Sequence, residues 1–433
     1  MAGNAKFISS EPTKAWLSQF EAKDQPLATE MLRKMRLVSR DAFAEELQRM
    51  MTKLIEDGKP VALYVEREVP REEPFGSQRG EVLPLFSQPE GSPRRATGKY
   101  PAMSARPDSL ETGSEGVVGQ LVTEVCRSNP TLAFNHPGPD SIRRHKIRRI
   151  VFVTDCIGSG KRICENLTAA WKVASVRSWW SNRRKFGISF SVIAYAATER
   201  GRKLVEEHPA LPSIELAVRC PTIEGSFSRS RFHLAMDLCA RYAPASRSSK
   251  FDQRGAARAA LGFGGTGALI AFAHGAPNNV PTMFWRESGT WIPLFKGRVT
   301  SGTREAFVSQ LDVGGVQDRL QSMRQERLSR SMLFFRLAGP AGALILTLAA
   351  SGRNPGNATA IAEMTGLTIS EVVTSTDKAV SHGWLDGRGR LTDAGRRQLD
   401  SLRSKKVSSE EPVQKTPETA YYPSALRGPV PSV

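Results

Sequence analysis

The chain has 433 residues, is 40% hydrophobic and carries a formal net charge of +18 at pH 7; that length exceeds one ordinary core and implies two or three domains. No apolar run approaches the roughly 18 residues of a membrane span, and the opening MAGNAKFISSEPTKAW lacks a charged-then-apolar leader, so a cytoplasmic protein without membrane contact is expected. Cys126, Cys156, Cys164, Cys220 and Cys239 show no CxxC spacing, which argues against a zinc module or a disulfide framework, while the excess charge favours polyanions or phosphorylated small molecules.

Residues 1–58 read as a helical cap. PTKAWLSQFEAKDQPLATEMLRKM has helical apolar spacing, and SRDAFAEELQRMMTKLIEDG opens on Ser39 as N-cap and closes at Gly58. Val61–Val65 is a continuous apolar run of the buried parallel-strand type, followed by Glu66-Arg67-Glu68. Residues 70–112, rich in Pro, Gly, Ser and charge, read as a mobile loop. Ser114 then N-caps the apolar helix VVGQLVTEVCR, with a second role towards a ligand as the alternative.

Arg143–Arg149 (RRHKIRR) is a basic cluster that reads as a solvated face or as part of a phosphate-attracting field. It leads into Ile150–Val153, a β-rich run that stops at Thr154-Asp155, passes through Gly158-Ser159-Gly160-Lys161 and enters a helix from Arg162. Small residues let backbone amides converge, and the helix N-terminus adds its positive dipole, so the loop is suited to a phosphate. A Walker A loop would need Gly where Asp155 stands and Ser or Thr where Arg162 stands, so that motif is excluded. An ordinary strand-turn-helix corner is the competing reading. Cys156, inside the loop, is the thiol to test for reactivity.

Ile188–Tyr195 is a further strand, TERGRKLVEEHP its helix, and Ile214–Val218 and Thr222–Phe227 are candidate edge strands. Strands alternating with helices predict an α/β fold with a doubly wound parallel sheet. From Leu261 to Arg298 the chain combines a Gly-rich turn, a strand at Ala268–Phe272, then His274, Pro277-Asn278-Asn279 and the Trp285/Trp291 pair, a dense polar and aromatic loop of the kind that carries function.

The stretch of four apolar residues, acid and short Ser-Gly loop resembles the motif with which phosphoribosyltransferases bind 5-phosphoribosyl 1-diphosphate (PRPP). Together with LGFG, HGxPNN…FW and WxPLF, the order of motifs over about residues 12–300 resembles the divergent phosphoribosyltransferase-like proteins of bacterial conflict systems, some of them retron-associated antiphage effectors. The resemblance implies that Asp155 holds the ribose hydroxyls and that Ile157, Gly158, Ser159, Gly160 and Lys161 form the 5-phosphate loop. Thr154 stands where the family carries its first acid. Arg67 lies where the family places its pyrophosphate loop, and Mg²⁺ is implied on the PRPP pyrophosphate with no direct protein ligands. His274, Asn278 and Asn279 are candidates for the acceptor side.

Residues 301–338 read as a helical connector and 339–404 as three helices, a Gly387/Gly389 hairpin and a last helix, which resembles a MarR-type winged helix-turn-helix. Its reader helix, TISEVVTSTDKAVSHG, offers only Lys378 and His382 as bases, so Arg388 and Arg390 on the wing suit backbone phosphate better than base readout. A protein-docking winged helix is the alternative. Residues 405–433 read as a disordered tail. Two functions follow: a PRPP-using effector with DNA or msDNA, and a reverse transcriptase, as partners; or a catalytically inactive PRPP- or nucleotide-sensing transcriptional regulator that binds DNA through its winged helix.

Overall fold

The computed structural model describes residues 4–72, 80–87, 96–98, 114–185, 187–243, 253–300, 302–303, 307, 313–335 and 339–404. Its strands in chain order are β1 (Arg36–Val38), β2 (Val61–Val65), β3 (Ala133–Asn135), β4 (Arg149–Ile157), β5 (Ser189–Ala197), β6 (Ser213–Arg219) and β7 (Ile270–Phe272). Among the described residues, β3-β2-β4-β5-β6 form one five-stranded sheet in that order, all parallel. The chain steps from β2 to one side and returns on the other as β4, so the topological switch lies between β2 and β4. The crevice outside their carboxyl ends is where an open α/β sheet accepts a ligand.

The sheet is buried on both faces because its central strands carry apolar residues on both, β2 at every position and β4 from Ile150 to Val153. Along β4, Val151 and Val153 enter one core and Ile150 and Phe152 the other. Helices Arg40–Lys53 and Ser114–Ser128 cover the first face, and Lys161–Trp171, Ala174–Ser181 and Glu199–Glu206 the second. Ser39 caps the first of these helices by accepting from the Ala42 amide at 3.1 Å.

The N-terminal helices share the first core. Trp16 stacks on Phe284 at 4.9 Å and meets Phe20 edge-on at 4.7 Å, and Trp291 closes on Phe20 at 5.1 Å. The indole nitrogens of Trp285 and Trp291 donate to the carbonyls of Val280 and Met283. The aromatic half of the 261–298 run is therefore packing, not an exposed functional loop.

Several local expectations change. The helical stretch 12–58 contains β1, which pairs in parallel with β7 as a separate two-stranded sheet; three residues are too few to show a period of two. The Ala268–Phe272 strand shortens to β7 in that sheet. Thr222–Phe227 is a turn of helix, Ile223–Ser226, because the Thr222 hydroxyl accepts from the Gly225 amide and caps it. Within 70–112 the described pieces are packed: Val82, Leu85, Phe86 and Ala96 are buried, and Arg71 bridges to Val82; the rest lies outside the described residues, as does the tail 405–433.

A third core holds the connector helices Val313–Ser322 and Glu326–Phe335 with the C-terminal helices Gly339–Ser351, Ala358–Thr365, Ile369–Ser381 and Asp393–Ser404. Thr368 and Glu371 form a capping box at the start of the third of these. The hairpin is reduced to a single Leu385–Leu391 bridge, because Asp386 draws the Arg388 and Arg390 amides (both 2.8 Å) into a tight tip. This domain docks on β6: Arg36 donates to the carbonyls of Gly366 (2.9 Å) and Leu367 (3.2 Å), and Arg219 faces Glu363 at 3.6 Å. Among the described residues no helix is long and apolar enough to cross a membrane.

Trp16 is 2% exposed and its indole nitrogen has no partner. Truncation to Ala should cost about 3–5 kcal/mol, read as a drop in urea midpoint, whereas Trp16→Phe should cost far less because it removes a buried unsatisfied donor with the lost area.

Candidate functional site

At the switch point, residues from β2, β4, the helix after β4 and the 263–279 loops enclose a cavity of about 280 Å³. Asp155, the whole Ile157–Lys161 loop, Asn278 and Asn279 line it, as do Glu66, Glu68, Ser114 and Arg298. Thr154, Arg67 and His274 are not among its lining residues.

The loop is rigid because it is held from several sides. Gly160 takes φ +79° as the N-cap of helix Lys161–Trp171, a left-handed conformation that glycine adopts without penalty. Thr198 Oγ1 donates to the Gly158 carbonyl at 2.5 Å while accepting from the Gly201 amide at 3.0 Å. A Cβ at Gly201 would overlap the Gly158 carbonyl, and one at Gly158 would overlap the Asn279 side chain. Helix geometry leaves the first-turn amides without intrahelical acceptors, so they face the cavity mouth as anion donors.

Asn279 is 7% exposed, and its amide nitrogen donates to the Phe263 carbonyl (2.9 Å) and Thr266 Oγ1 (3.2 Å). It braces the Gly-rich turn against the loop. Asn278 lines the cavity and its carbonyl accepts from the Phe263 amide at 2.8 Å. His274 stacks on Phe272 at 5.0 Å and against Phe43 at 4.7 Å. Its Nε2 stands 3.7 Å from Asp155 Oδ2, too long for a hydrogen bond, and neither ring nitrogen has a hydrogen-bond partner. His274 thus sits behind Asp155, packed against Phe272 and Phe43 and outside the cavity lining.

Burial alone would push the Asp155 carboxyl up. His274, the Cys156 amide (2.7 Å) and Ser114 outweigh it and hold the group below the ordinary carboxylate range.

Sequence reasoning passed over Glu66. The β2–β4 register pairs Val65 with Val153, so the next step sets Glu66 beside Thr154. Thr154, 2% exposed, donates to Glu66 Oε2 at 2.9 Å and lies 3.3 Å from Asp155 Oδ1. The missing first acid is thereby replaced in space by a carboxyl from the neighbouring strand, with a hydroxyl as bridge. Burial raises Glu66 to about 7, assisted by the Asp155 charge and opposed by Arg162. Two adjacent carboxyls therefore titrate far apart. The signal was available: an acid one residue past a buried strand that runs beside the apolar part of β4.

Arg67 has a different placement from the one its position after β2 suggested. Its carbonyl accepts from Asn166 at 2.9 Å, and its charge helps burial, the larger cause, lower His136 to about 4. Lys161, Arg162 and Arg298 are the cations that line the cavity, and Arg162 lies 3.3 Å from Glu66 and 3.1 Å from Glu115. Arg71 holds Glu165 at 2.5 Å, so the segment after β2 is strapped to the helix after β4. Cys156 is no reactive thiolate: contact with Cys220, then burial, pushes its thiol well up.

In the winged helix, Lys378, Arg388 and Arg390 are exposed. The first turn of the reader helix is not: Thr368 and Glu371 line a seam cavity with Glu45, Glu46 and Tyr195. Helix-turn-helix readers place that turn in the major groove, so this arrangement leaves the wing, rather than the reader, open to nucleic acid.

A protein-family model described as PRTase-CE matches residues 13–296, and a second, described as wHTH-PRTase associated, matches residues 345–428. No curated protein and no solved structure matches the chain.

Glu66 gives a pH signature. A carboxyl raised from 4.5 to about 7 favours the fold while protonated, and its contribution is lost as pH rises through the folded value. Melting curves from pH 5 to 8.5 should show the wild type losing stability relative to Glu66→Gln between about pH 5 and 7, by up to roughly 3 kcal/mol, and running parallel to it above that. Parallel curves over the lower range as well would exclude the raised carboxyl.

Proposed function

The chain belongs to the PRTase-CE family and carries its associated winged helix, and from that premise we propose a phosphoribosyltransferase-like effector that binds PRPP or a related phosphoribosyl nucleotide. One observation carries the reading: the low-lying Asp155 carboxylate and the pinned Ile157–Lys161 loop line one cavity at the β2/β4 switch point. The loop amides and the helix N-terminus suit the 5-phosphate. Asp155 suits the ribose hydroxyl pair, and Glu66, sharing the Thr154 hydroxyl with it, is the second acceptor.

Among the described residues no group of three or more His, Cys, Asp or Glu forms a metal cage. The donor set at the mouth, Glu66 and Glu68 beside open space, fits Mg²⁺ that arrives on the diphosphate and keeps phosphate and water as its main ligands. When bound, that ion supplies charge neutralisation for a departing pyrophosphate. The protein's own contribution to transfer at the anomeric carbon is positioning, through the loop and Asp155. An antiphage role as a retron-type toxin, with msDNA and a reverse transcriptase as partners, extends this reading and rests on the family resemblance.

The sensor-regulator alternative is favoured by one observation: the reader helix turns its first residues towards β5 at Tyr195, so the two domains can exchange a signal without a reaction.

PRPP with Mg²⁺ should raise the melting temperature, by the equivalent of about 2.7 kcal/mol at a hundredfold excess over Kd, and Asp155→Asn should remove most of the shift while the apo protein still melts cooperatively. No shift with PRPP, ATP or ribose 5-phosphate at millimolar concentration would end the phosphate-loop reading. Expression without its neighbours should slow bacterial growth, and Asp155→Ala should relieve it. Toxicity that survives Asp155→Ala but not deletion of residues 339–404 would favour the regulator.

A further inference from the structure

The RRHKIRR cluster was read from sequence as a solvated face or as part of the field around the phosphate loop. The structure rules out the second. The cluster sits at the amino end of β4 and the loop at its carboxyl end; nine residues at about 3.3 Å each put roughly 27 Å between them. At physiological salt the Debye length is about 8 Å, so these charges are screened from the loop.

A second basic segment lies beside it. IRRHKIRR (142–149) and KVASVRSWWSNRRKFGI (172–188) each hold five Lys or Arg, and neither contains an Asp or Glu. The fold joins them: β4 and β5 pair from Arg149 and Ser189 onwards, and the Arg148 guanidinium donates to the Lys185 carbonyl at 3.3 Å. Arg143 pairs with Asp140 at 2.8 Å, Lys172 with Glu81 at 2.6 Å, and Arg149 with Asp57. Arg144, Lys146, Arg177, Arg184 and Lys185 remain exposed.

Between the segments runs an open groove of about 620 Å³ whose walls include Arg143, Lys146, Arg148, Trp179 and Asn182. Within it the Arg143 guanidinium lies 5.6 Å from the Trp179 ring; outside its walls, on the same segment, Arg183 covers the Trp180 ring at 3.5 Å.

We propose that this amino-end face binds single-stranded nucleic acid through its phosphodiester backbone. Exposed cations flanking a groove that Lys146 and the Trp179 indole line are what sequence-tolerant single-strand binding requires. The groove is concave and separate from the wing, which belongs to the domain docked on β6. An anionic membrane fits less well, because none of the exposed large hydrophobic side chains falls in either segment. The site carries no sequence readout, so its affinity should depend steeply on salt.

The test uses the full chain, a fluorescent 20-nucleotide oligo(dT), a 20-base-pair duplex and phosphatidylserine vesicles. The variant Arg144→Glu/Arg184→Glu/Lys185→Glu alters exposed side chains only. It should weaken oligo(dT) binding at least tenfold at low salt and flatten the log–log salt slope by about 2, at roughly 0.7 per phosphate contact. Arg388→Ala/Arg390→Ala should leave single-strand affinity within about twofold, since the wing is a different surface. An unchanged melting temperature, and an unchanged PRPP shift where the parent shows one, establish that the triple variant is folded and its cavity intact. Wild-type oligo(dT) affinity in the triple variant overturns the proposal. So does loss of binding in the wing variant alone, or tighter binding of duplex or vesicles than of oligo(dT) with the same dependence on the three residues.

Discussion

The Gly158 carbonyl is where three parts of the chain meet. It receives the Thr198 hydroxyl at 2.5 Å, lies against Gly201 with no room for a Cβ, and belongs to a residue whose other side is filled by Asn279. Thr198 also caps helix Glu199–Glu206, so that cap, the phosphate loop and the 263–279 turn are one mechanical unit. A loop meant to hold a phosphate through backbone amides cannot adjust without losing their convergence; the packing fixes it in advance and lowers the ordering entropy left for binding.

That rigidity places demands on the charges beside it. Two ionised carboxylates next to a phosphate site would repel each other and the ligand. The structure separates them: Asp155 is held low by His274, Cys156 and Ser114 after burial is overcome, and Glu66 is held near 7 by burial. Thr154 stands between the two: its hydroxyl donates to Glu66 Oε2 at 2.9 Å and lies 3.3 Å from Asp155 Oδ1, so the two carboxyls do not meet directly. An acid at position 154 would add a third carboxyl to the same buried spot. The departure from the phosphoribosyltransferase motif at Thr154 and the presence of Glu66 one strand away are therefore a single feature.

The sheet, the phosphate loop, the Ser39 cap and the winged-helix elements were legible because each is signalled within a few consecutive residues: a buried apolar run, a Gly-rich corner, a Ser or Thr before a helix. Glu66 was not, since its role arises from strand register, which no local pattern encodes. The Trp285/Trp291 pair was misplaced, and the bracing role of Asn279 missed, for a related reason. Aromatic and amide side chains look alike in sequence whether they face a ligand or brace a turn, and only their partners Trp16, Phe263 and Thr266 decide. Arg67 and Arg162 exchange importance on the same ground, because both follow a strand but only Arg162 begins the helix that borders the cavity.

The net charge then acquires a geometry. The cavity mouth mixes Lys161, Arg162 and Arg298 with Glu66, Glu68 and Glu165, so it is nearly balanced, as a site for a metal-bearing diphosphate must be if product is to leave. A strongly positive field there would trap any anion, polymer included. The exposed cations of the amino-end face instead lie at the far end of β4, several Debye lengths away, so their field does not reach the carboxyl pair. One strand thus keeps the two charged regions apart, and the docking of the reader helix covers its first turn while Arg388 and Arg390 of the wing stay exposed.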